Sequence, residues 1–351
     1  MKIGILTLPF NNNYGGLLQC FALQTFLKEL GHDVIIIKRA YPKQSNIKTK
    51  IIRIIKKISG KTNKYRKQTF PMIFFERSHF TETRTFTNPI QLEELPHYHL
   101  DTLIVGSDQV WRFDYTKEHF AEYFLDFAER WKINRIAFAA SFGIKSWTLN
   151  TEQTDRIKKL ASLFNRISVR ESSGINLCQQ YLDYQAVHLL DPTFLLSASE
   201  YRKLYRTKPH VKTQDTIASY LLDSNEAKKN AIKMITNVTG LKNVFIGRNP
   251  KTGNWQSVEE WLQHIDEAKF IITDSFHGIV FSIIFDKPFV LINNTSRGAE
   301  RFISLSETFG FNQFYDCTEQ FSVKHINHID KKLRERIIKE NKKASIHFLA
   351  L

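Results

Sequence analysis

Short runs of β-branched and other apolar residues alternate with stretches of helical periodicity along the whole chain. Helical patterns lie between the runs, for example at residues 17–30, 227–239 and 258–268. This alternation is typical of parallel sheets joined by crossover helices. The sequence therefore predicts an α/β protein with strands at residues 2–8, 33–39, 102–107, 135–141, 166–171, 185–190, 216–222, 243–248, 270–275 and 288–294.

The strand and helix pattern pauses after Asp191-Pro192 and then restarts. We therefore predict two doubly wound domains, one at residues 1–197 and one at residues 198–351. A chain of 351 residues is long enough for two such domains. The last helical stretch, at residues 330–345, is long enough to pack back across the region between them.

The composition excludes several classes of protein. With 42% hydrophobic residues, 14 Gly and 9 Pro, the chain is neither fibrous nor of low complexity. Cys20, Cys178 and Cys317 lie far apart, without the spacing of a zinc site or a disulfide framework. The chain start lacks the pattern of a signal peptide, and no apolar run reaches the ~20 residues that span a bilayer. We expect a cytoplasmic protein without a metal centre.

The positive charge of the chain is concentrated in one segment. Residues 34–75 contain twelve Lys and Arg and no acidic residue, so that the rest of the chain carries only +3 of the net charge of +15. Within this segment five isoleucines recur at the spacing of one helix face, with lysines on the other faces. The pattern predicts a basic amphipathic insertion at about residues 43–70, with its apolar stripe formed by Ile47, Ile51, Ile54, Ile55 and Ile58.

Three interpretations of this insertion remain open from the sequence. An anionic membrane surface would accept the apolar stripe and attract the lysines. Nucleic acid is a second partner of basic segments, but the chain has no helix-turn-helix, zinc-finger or RNP-like pattern. In the third interpretation, the isoleucines pack on the protein body and the lysines are solvated.

Ligands of open α/β sheets bind beyond the carboxyl ends of the strands, so the residues after each strand are candidates for a site. The first strand leads into Asn13-Tyr14-Gly15-Gly16 at the start of a helix. Paired glycines at a helix start let backbone N–H groups approach an anion, and the helix dipole adds to the attraction. We predict a phosphate or carboxylate cradle here; a tight turn is the alternative.

Three further strands end in polar or small residues. Asp108 and Gln109 follow the third strand, where Asp108 either orients a hydroxyl group or caps the next helix. Arg170 follows the fifth strand and needs an anionic partner, which is either a ligand or a nearby carboxylate. The fourth strand ends in small residues that suit the close approach of a ligand, in the segment Ser141-Phe142-Gly143.

The segment Asp274-Ser275-Phe276-His277-Gly278 joins a buried strand to an apolar helix and places His277 in the first helical turn. The helix start disfavours an imidazolium, whereas a bound phosphate favours it, so this histidine suits proton transfer near neutral pH. A structural histidine is the alternative. Arg297 and Arg301 follow the next strand and either close on an anion or pair with nearby acids.

Several of these segments occur in an order and spacing that resemble the polysaccharide pyruvyl transferase family, over roughly residues 2–311. The resemblance implies two Rossmann-like domains in a GT-B-like arrangement, with the active site in the cleft between them. The segments are Asn13-Tyr14-Gly15-Gly16 with Gln19, Gly106-Ser107-Asp108-Gln109-Val110-Trp111, Ser168-Val169-Arg170-Glu171, Asp191-Pro192-Thr193 and Asp274-Ser275-Phe276-His277-Gly278.

The family resemblance implies transfer of pyruvate from phosphoenolpyruvate to a sugar of a surface polysaccharide or of its polyprenyl-diphosphate-linked precursor. By position, His277 matches the histidine near the transferred group, and Arg170 matches an arginine at the donor. Asp108 or Glu171 is then the candidate base, and no cofactor or metal is needed. Many members have an arginine where this chain has Ser275, so Arg297, Arg301 or Arg248 would replace it.

The resemblance also bears on the partners. A lipid-linked acceptor would give the basic insertion a purpose at the inner face of the cell membrane, and nucleic acid is then not expected. Two other functions stay open: a GT-B-type glycosyltransferase that uses a nucleotide sugar, and a non-catalytic scaffold at the membrane surface.

Overall fold

The computed structural model describes residues 1–41, 69–206, 215–223, 225–249, 252–293 and 298–350. Within these ranges the chain forms two parallel sheets, one of six strands and one of five. The predicted basic helix and Arg297 lie outside the described residues. The other predictions can be compared with the structure directly.

The first sheet has the order β2-β1-β3-β4-β5-β6 and is parallel throughout. Ile5 of the first strand pairs with Ile36 on one side and Ile104 on the other, and all three side chains are buried. Burial on both faces explains why these strands read as continuous apolar runs. The strands are β1 (Lys2–Leu6), β2 (Asp33–Ile37), β3 (Thr102–Val105), β4 (Asn134–Ala140), β5 (Arg166–Val169) and β6 (Val187–His188).

Helices connect the strands of this half of the chain. The described residues of this half also contain four 3-10 helices, at Pro89–Tyr98, Lys117–Phe124, Asp126–Ala128 and Pro192–Leu195. The α-helices are α1 (Tyr14–Glu29), α2 (Phe70–His79), α3 (Phe113–Thr116), α4 (Thr151–Ala161), α5 (Ser172–Leu177) and α6 (Ala198–Lys203).

The second sheet has the order β11-β10-β9-β7-β8 and is also parallel. Its strands are β7 (Thr216–Tyr220), β8 (Lys242–Phe245), β9 (Phe270–Thr273), β10 (Phe289–Ile292) and β11 (Phe314–Tyr315). Its helices are α7 (Glu226–Thr239), α8 (Val258–Glu267), α9 (Phe276–Ile284), α10 (Glu300–Phe309) and α11 (Lys331–Leu349). None of the described helices is long and apolar enough to cross a bilayer.

One hydrophobic cluster joins the two sheets. Tyr14 and Leu17 of α1 pack in it with Trp261 and Phe281 of the second half. The Tyr14 ring stacks on Trp261 at 5.0 Å between ring centres, and its hydroxyl donates to the carbonyl oxygen of Gln256 at 2.8 Å. This packing fixes the start of α1 against the second sheet.

The last helix, α11, contacts the first half of the chain. Asn341 accepts a hydrogen bond from the backbone N–H of Leu190 at 2.9 Å, and Lys342 lies over the ring of Phe26 at 5.3 Å. Near the end of α11, Arg166 donates to the carbonyl oxygen of Phe348. Through these contacts the last helix lies against residues of the first half of the chain.

The ten predicted strands are present, but they are shorter than the apolar runs. Some runs extend into the turns because the residues after the strand are also buried, as Ser107 is after β3 and Asp274 is after β9. The sequence analysis missed β11, since two residues give no periodicity. The predicted domain boundary at residues 197 and 198 falls at the start of α6, between the two sheets, and stays a prediction.

Candidate functional site

Charged residues from both halves meet where the carboxyl ends of the strands face each other. Arg170 directly follows β5, and Asp191 lies beyond β6. His277 comes from the first turn of α9 in the second half. All three side chains are buried, with 1–6% of each residue exposed. The candidate site is built around this contact.

Asp191 is the centre of the cluster. Its Oδ2 accepts a hydrogen bond from Arg170 Nη1 at 2.7 Å and lies 3.4 Å from His277 Nε2. Its Oδ1 accepts from the backbone N–H of Thr193 at 3.0 Å and from the Thr193 hydroxyl at 2.8 Å. Ser107 donates to Oδ2 at 3.3 Å. The carboxylate thus joins the two halves of the chain.

The surroundings keep Asp191 ionised. Burial alone raises the pKa of its carboxyl, but His277, Arg170 and the Thr193 N–H together hold the pKa well below its ordinary value. A buried carboxylate of this kind favours a protonated imidazole beside it. Asp191 is therefore an ionised neighbour of the His277 ring.

Arg170 uses only part of its guanidinium for this ion pair. Within the described residues its buried Nε and Nη2 make no hydrogen bond, and Nη2 lies 4.0 Å from Asp108 Oδ1. The guanidinium carbon is 4.6 Å from the ring centre of Phe276, the residue that directly precedes His277 in the sequence. The free N–H groups are suited to a planar or tetrahedral anion.

A second arginine lies near the same aromatic ring. The guanidinium carbon of Arg301 is 5.3 Å from the ring centre of Phe276, and the residue is 7% exposed. Burial and the neighbouring Arg170 lower the pKa of Arg301 to about 10, although Asp108 and Glu171 oppose the shift. Two buried cations so close together would be stabilised by an anion bound between them.

The position of His277 depends on a glycine of the other half. A Cβ atom on Gly15 would lie 1.9 Å from His277 Nδ1, so only glycine fits beneath the ring. The helix that carries His277 begins at Ser275, whose hydroxyl accepts a long hydrogen bond of 3.5 Å from the Gly278 N–H. The ring is therefore held between the starts of α9 and α1.

The start of α1 is also next to a carboxylate. Asn13 occupies the N-cap position but makes no capping bond with its side chain; its Nδ2 instead lies 3.4 Å from Asp108 Oδ2. Asp108 has a left-handed backbone (φ 75°) and accepts from the Gln109 N–H at 2.8 Å. A Cβ on Gly16 would be 3.5 Å from the same carboxylate. The first turn of α1 keeps its N–H groups free of a side-chain cap.

Glu171 holds the loop after β4. Its Oε1 accepts from the Gly143 N–H at 2.7 Å and from the Ser141 hydroxyl at 3.2 Å. Its Oε2 is buried and makes no hydrogen bond within the described part of the chain. One oxygen of the candidate base Glu171 thus holds the loop after β4. Only the other oxygen is available to accept a proton.

Gly143 lies against the second half of the chain. A Cβ on Gly298, where φ is 90°, would be 2.5 Å from the carbonyl oxygen of Gly143 and 3.2 Å from Gln109 Oε1. Gln109 itself accepts a hydrogen bond from Arg112 Nη1 at 2.9 Å. Gln109 and Gly143 therefore lie at the junction of the two halves. Arg297, which precedes Gly298 in the sequence, lies outside the described residues.

Other predicted substrate contacts are engaged elsewhere. Asp274 pairs with Lys228 Nζ at 2.5 Å and accepts from the Leu222 N–H at 2.7 Å. Phe142 packs against Trp111 in a hydrophobic cluster of the first half of the chain, at 5.2 Å between ring centres. Asp274 is thus held in an ion pair and Phe142 in an aromatic contact, and their predicted contacts with substrate stay predictions.

Tyr14, Gln19 and Gly278 also make contacts within the protein, and their predicted contacts with substrate stay predictions. Tyr14 is buried in the cluster between the sheets, and burial raises its pKa far above the ordinary value. Gln19 Nε2 donates to the Gly16 carbonyl oxygen and to the Thr7 hydroxyl. A Cβ on Gly278 would lie 2.2 Å from Thr273 Oγ1, so this glycine allows α9 to pack against β9.

Two residues of the cluster have no role predicted from the sequence. Asp191 belongs to the segment Asp191-Pro192-Thr193, and Phe276 directly precedes the candidate histidine. The sequence signal that could have identified Asp191 is an aspartate directly before Pro-Thr, after the predicted strand at residues 185–190. Of the proposed substitutes for the missing arginine, Arg301 lies in the cluster, whereas Arg248 is exposed and donates to the Gly253 carbonyl oxygen at 3.1 Å.

The arrangement can bind an anion and move a proton. Arg170, Arg301 and the start of α1 supply positive charge, and His277 supplies an imidazole 3.4 Å from the buried carboxylate of Asp191. Asp108 and Glu171 supply carboxylates. In the described parts of the chain no three His, Cys, Asp or Glu side chains group as ligands of a metal ion.

Comparisons with known proteins agree on the fold. The family model described as polysaccharide pyruvyl transferase matches residues 13–296 of the chain. A search of curated proteins gave no match.

Solved structures similar to the chain include two UDP-GlcNAc 2-epimerases. The enzyme from Neisseria meningitidis, bound to UDP-GlcNAc, is 10% identical, with a TM-score of 0.56 over 99% of both chains. The enzyme from Methanocaldococcus jannaschii is 14% identical, with a TM-score of 0.52 over 97% of this chain and 99% of the other.

A third similar structure is Arabidopsis thaliana UGT89C1 complexed with quercetin. It is 7% identical, with a TM-score of 0.52 over 99% of this chain and 95% of the other. At these identities the likeness concerns the fold alone. It confirms the predicted α/β fold with two Rossmann-like units in a GT-B arrangement.

Proposed function

Because the chain belongs to the polysaccharide pyruvyl transferase family, we propose that it transfers pyruvate from phosphoenolpyruvate to a sugar, forming a cyclic ketal. The acceptor is a surface polysaccharide or its polyprenyl-diphosphate-linked precursor. The observation that supports this proposal best is the contact of Arg170 and His277 with one buried carboxylate, Asp191, beside the second buried arginine, Arg301.

The donor carries a phosphate and a carboxylate, and the site has positive groups for both. Arg170 retains Nε and Nη2 for one of them. Arg301 lies on the same aromatic ring and takes the part of the arginine that many members have at the position of Ser275. The uncapped first turn of α1, at Gly15 and Gly16, adds backbone N–H groups and the helix dipole.

His277 is the proposed acid. The double-bond electrons of the donor form a new C–H bond with the proton from the imidazolium, which leaves an oxocarbenium-like carbon. Asp191 stabilises the imidazolium before this step. The Gly15 contact keeps the ring in place, so that little reorganisation is needed.

Two sugar hydroxyl groups then complete the ketal. The first hydroxyl adds to the cationic carbon and loses its proton to Asp108 or to the free oxygen of Glu171. The bond from this carbon to the phosphate oxygen breaks, its electron pair leaves with the phosphate, and the second hydroxyl closes the ring as its proton passes to the departing phosphate. The products are the ketal and inorganic phosphate, and the scheme uses no cofactor or metal ion.

A thermal-shift titration tests the donor. Ligand binding to the folded state raises stability by about 2.7 kcal/mol at a concentration of 100 times the dissociation constant. We expect a saturable shift with phosphoenolpyruvate that exceeds the shift with inorganic phosphate and is lost in Arg301→Gln. Arg248→Gln is the matched control and should retain the shift, because Arg248 is exposed.

The same titration with UDP tests the alternative. A nucleotide-sugar glycosyltransferase would show a saturable UDP shift and none with phosphoenolpyruvate, and that result would overturn the proposed donor. A non-catalytic scaffold would keep its cellular role in Arg301→Gln and His277→Ala variants. Loss of glycan pyruvylation in cells that carry either variant would exclude the scaffold.

A further inference from the structure

Helix α2 presents two phenylalanines to solvent. Phe70 is 77% exposed and Phe74 is 55% exposed, and their ring centres are 6.1 Å apart. The spacing of four residues puts both rings on one face of the helix, and the exposed Arg77 follows one turn later. We call Phe70, Phe74 and Arg77 the aromatic face.

The aromatic face is not needed to hold α2 in the fold. The opposite side of the helix packs through Met72 and Phe75, which are fully buried in the cluster between the sheets. Glu76 forms an ion pair with Lys38, so the one acidic side chain of α2 is already neutralised. Two large rings are therefore exposed on a helix that is stable without them.

The sequence before α2 supplies positive charge next to this face. In the sequence, Lys64, Arg66 and Lys67 precede Phe70 by at most six residues. The whole segment from residue 34 to residue 75 has no acidic residue. Exposed aromatic rings close in sequence to a cationic segment are suited to a lipid bilayer, whose acyl chains are apolar and whose headgroups can be anionic.

The aromatic face is tied to the rim of the candidate site. Thr69, directly before Phe70, donates from its N–H and its hydroxyl to Asn12 Oδ1, at 2.8 Å and 3.0 Å. The next residue, Asn13, contacts Asp108. A surface that binds Phe70 is therefore held near the start of α1.

We propose that the aromatic face docks the protein on an anionic lipid bilayer. The rings of Phe70 and Phe74 enter the headgroup region, and the exposed Arg77 of the same face binds the anionic headgroups. The docking holds the cluster of Arg170, Asp191 and His277 close to the bilayer. It explains how an enzyme with a lipid-linked acceptor would meet its substrate, but the docking itself does not depend on which group is transferred.

Vesicle flotation of the full chain tests the docking. The probes are phosphatidylcholine vesicles and vesicles of equimolar phosphatidylcholine and phosphatidylglycerol. The variant is Phe70→Ser/Phe74→Ser, and the control is Phe245→Ser, which removes an exposed phenylalanine (44% exposed) from the end of edge strand β8. We expect the wild type to bind only the anionic vesicles. Binding should be at least about tenfold weaker in the double variant and unchanged in the control.

Three results would overturn the docking proposal: equal binding to both kinds of vesicle, equal binding of the double variant and the wild type, or an equal loss in Phe245→Ser. Tight binding of a duplex oligonucleotide, with vesicle binding unaffected by the double substitution, would also assign the basic segment to nucleic acid. The phosphoenolpyruvate shift of the double variant should equal that of the wild type, which separates this test from the test of the donor.

Discussion

Gly15 and His277 lie in contact across the junction of the two halves, with the glycine backbone directly beneath the imidazole ring. Gly15 belongs to the first turn of α1, and His277 to the first turn of α9. The two helix starts that the sequence analysis treated as separate features thus form one site. The anion cradle and the candidate acid support each other's position.

Replacing Gly15 by alanine tests this contact. The added Cβ would lie 1.9 Å from His277 Nδ1, so the ring or α1 has to move. Overpacking of this kind costs about 1–3 kcal/mol of unfolding free energy. We expect a lower melting temperature and a loss of activity of at least about 100-fold, since displacement of a positioned group by about 1 Å has that effect.

Two further variants make the Gly15 test specific. Gly106→Ala is the matched control, because its new Cβ would have only ordinary contacts of 3.4 Å or more. In Gly15→Ala/His277→Ala the ring is absent, so the double variant should be more stable than Gly15→Ala alone. A double variant with the summed destabilisation of both single variants would contradict the proposed clash.

His277→Ala should remove the proposed acid without unfolding the protein. General acid catalysis typically contributes about 10²–10⁴ in rate, so turnover should fall by at least that lower factor. The measurement is acceptor-dependent phosphate release from phosphoenolpyruvate. His97→Ala, at an exposed histidine of the first half, should keep full activity. Near wild-type turnover in His277→Ala would end the assignment.

The Arg170–Asp191 pair predicts non-additive stability. Arg170→Met leaves a buried carboxylate without its 2.7 Å partner, and such a loss costs about 3–5 kcal/mol. Arg170→Met/Asp191→Asn removes both charges and should lose less stability than Arg170→Met. Urea unfolding of the four proteins of the cycle measures the coupling energy. Additive losses would show that the pair is not coupled.

Glu82 predicts a pH dependence of stability that is separate from the site. Burial raises the pKa of Glu82 to about 7; the neighbouring Glu76 adds to the shift, and Lys38 opposes it. Because this pKa is above the ordinary value of 4.5, the folded state binds more protons than the unfolded state between those values. The stabilisation is present below pH 4.5 and is lost as the pH rises through 7.

Glu82→Gln should remove that pH dependence. The variant should match the wild type near pH 5 and be more stable than the wild type at pH 8, where the wild-type carboxylate is ionised beside Glu76. Melting temperatures across this range measure the difference. Glu94→Gln, at an exposed carboxylate whose pKa is lowered by Arg84, should give a curve parallel to the wild type. Parallel curves for Glu82→Gln would contradict the prediction.

Much of the fold could be predicted from the sequence because parallel strands that are buried on both faces are continuous apolar runs. Residues 102–107 and 270–275 are examples, and both contain a strand, Thr102–Val105 and Phe270–Thr273. The strand β11 could not be predicted, since its two residues are held by pairing with β10 rather than by a local pattern.

The sequence by itself determined the candidates at the strand ends: His277 after β9, Arg170 after β5 and Asp108 after β3. These positions could be predicted because the end of each strand is marked by the local change from apolar to polar or small residues. The structure alone decided which candidates meet. Asp191 became the centre of the cluster and Arg301 entered it, while Asp274 paired with Lys228. These choices depend on contacts between residues as distant as Gly15 and His277, where burial and charge pairing decide the outcome and no local pattern records it.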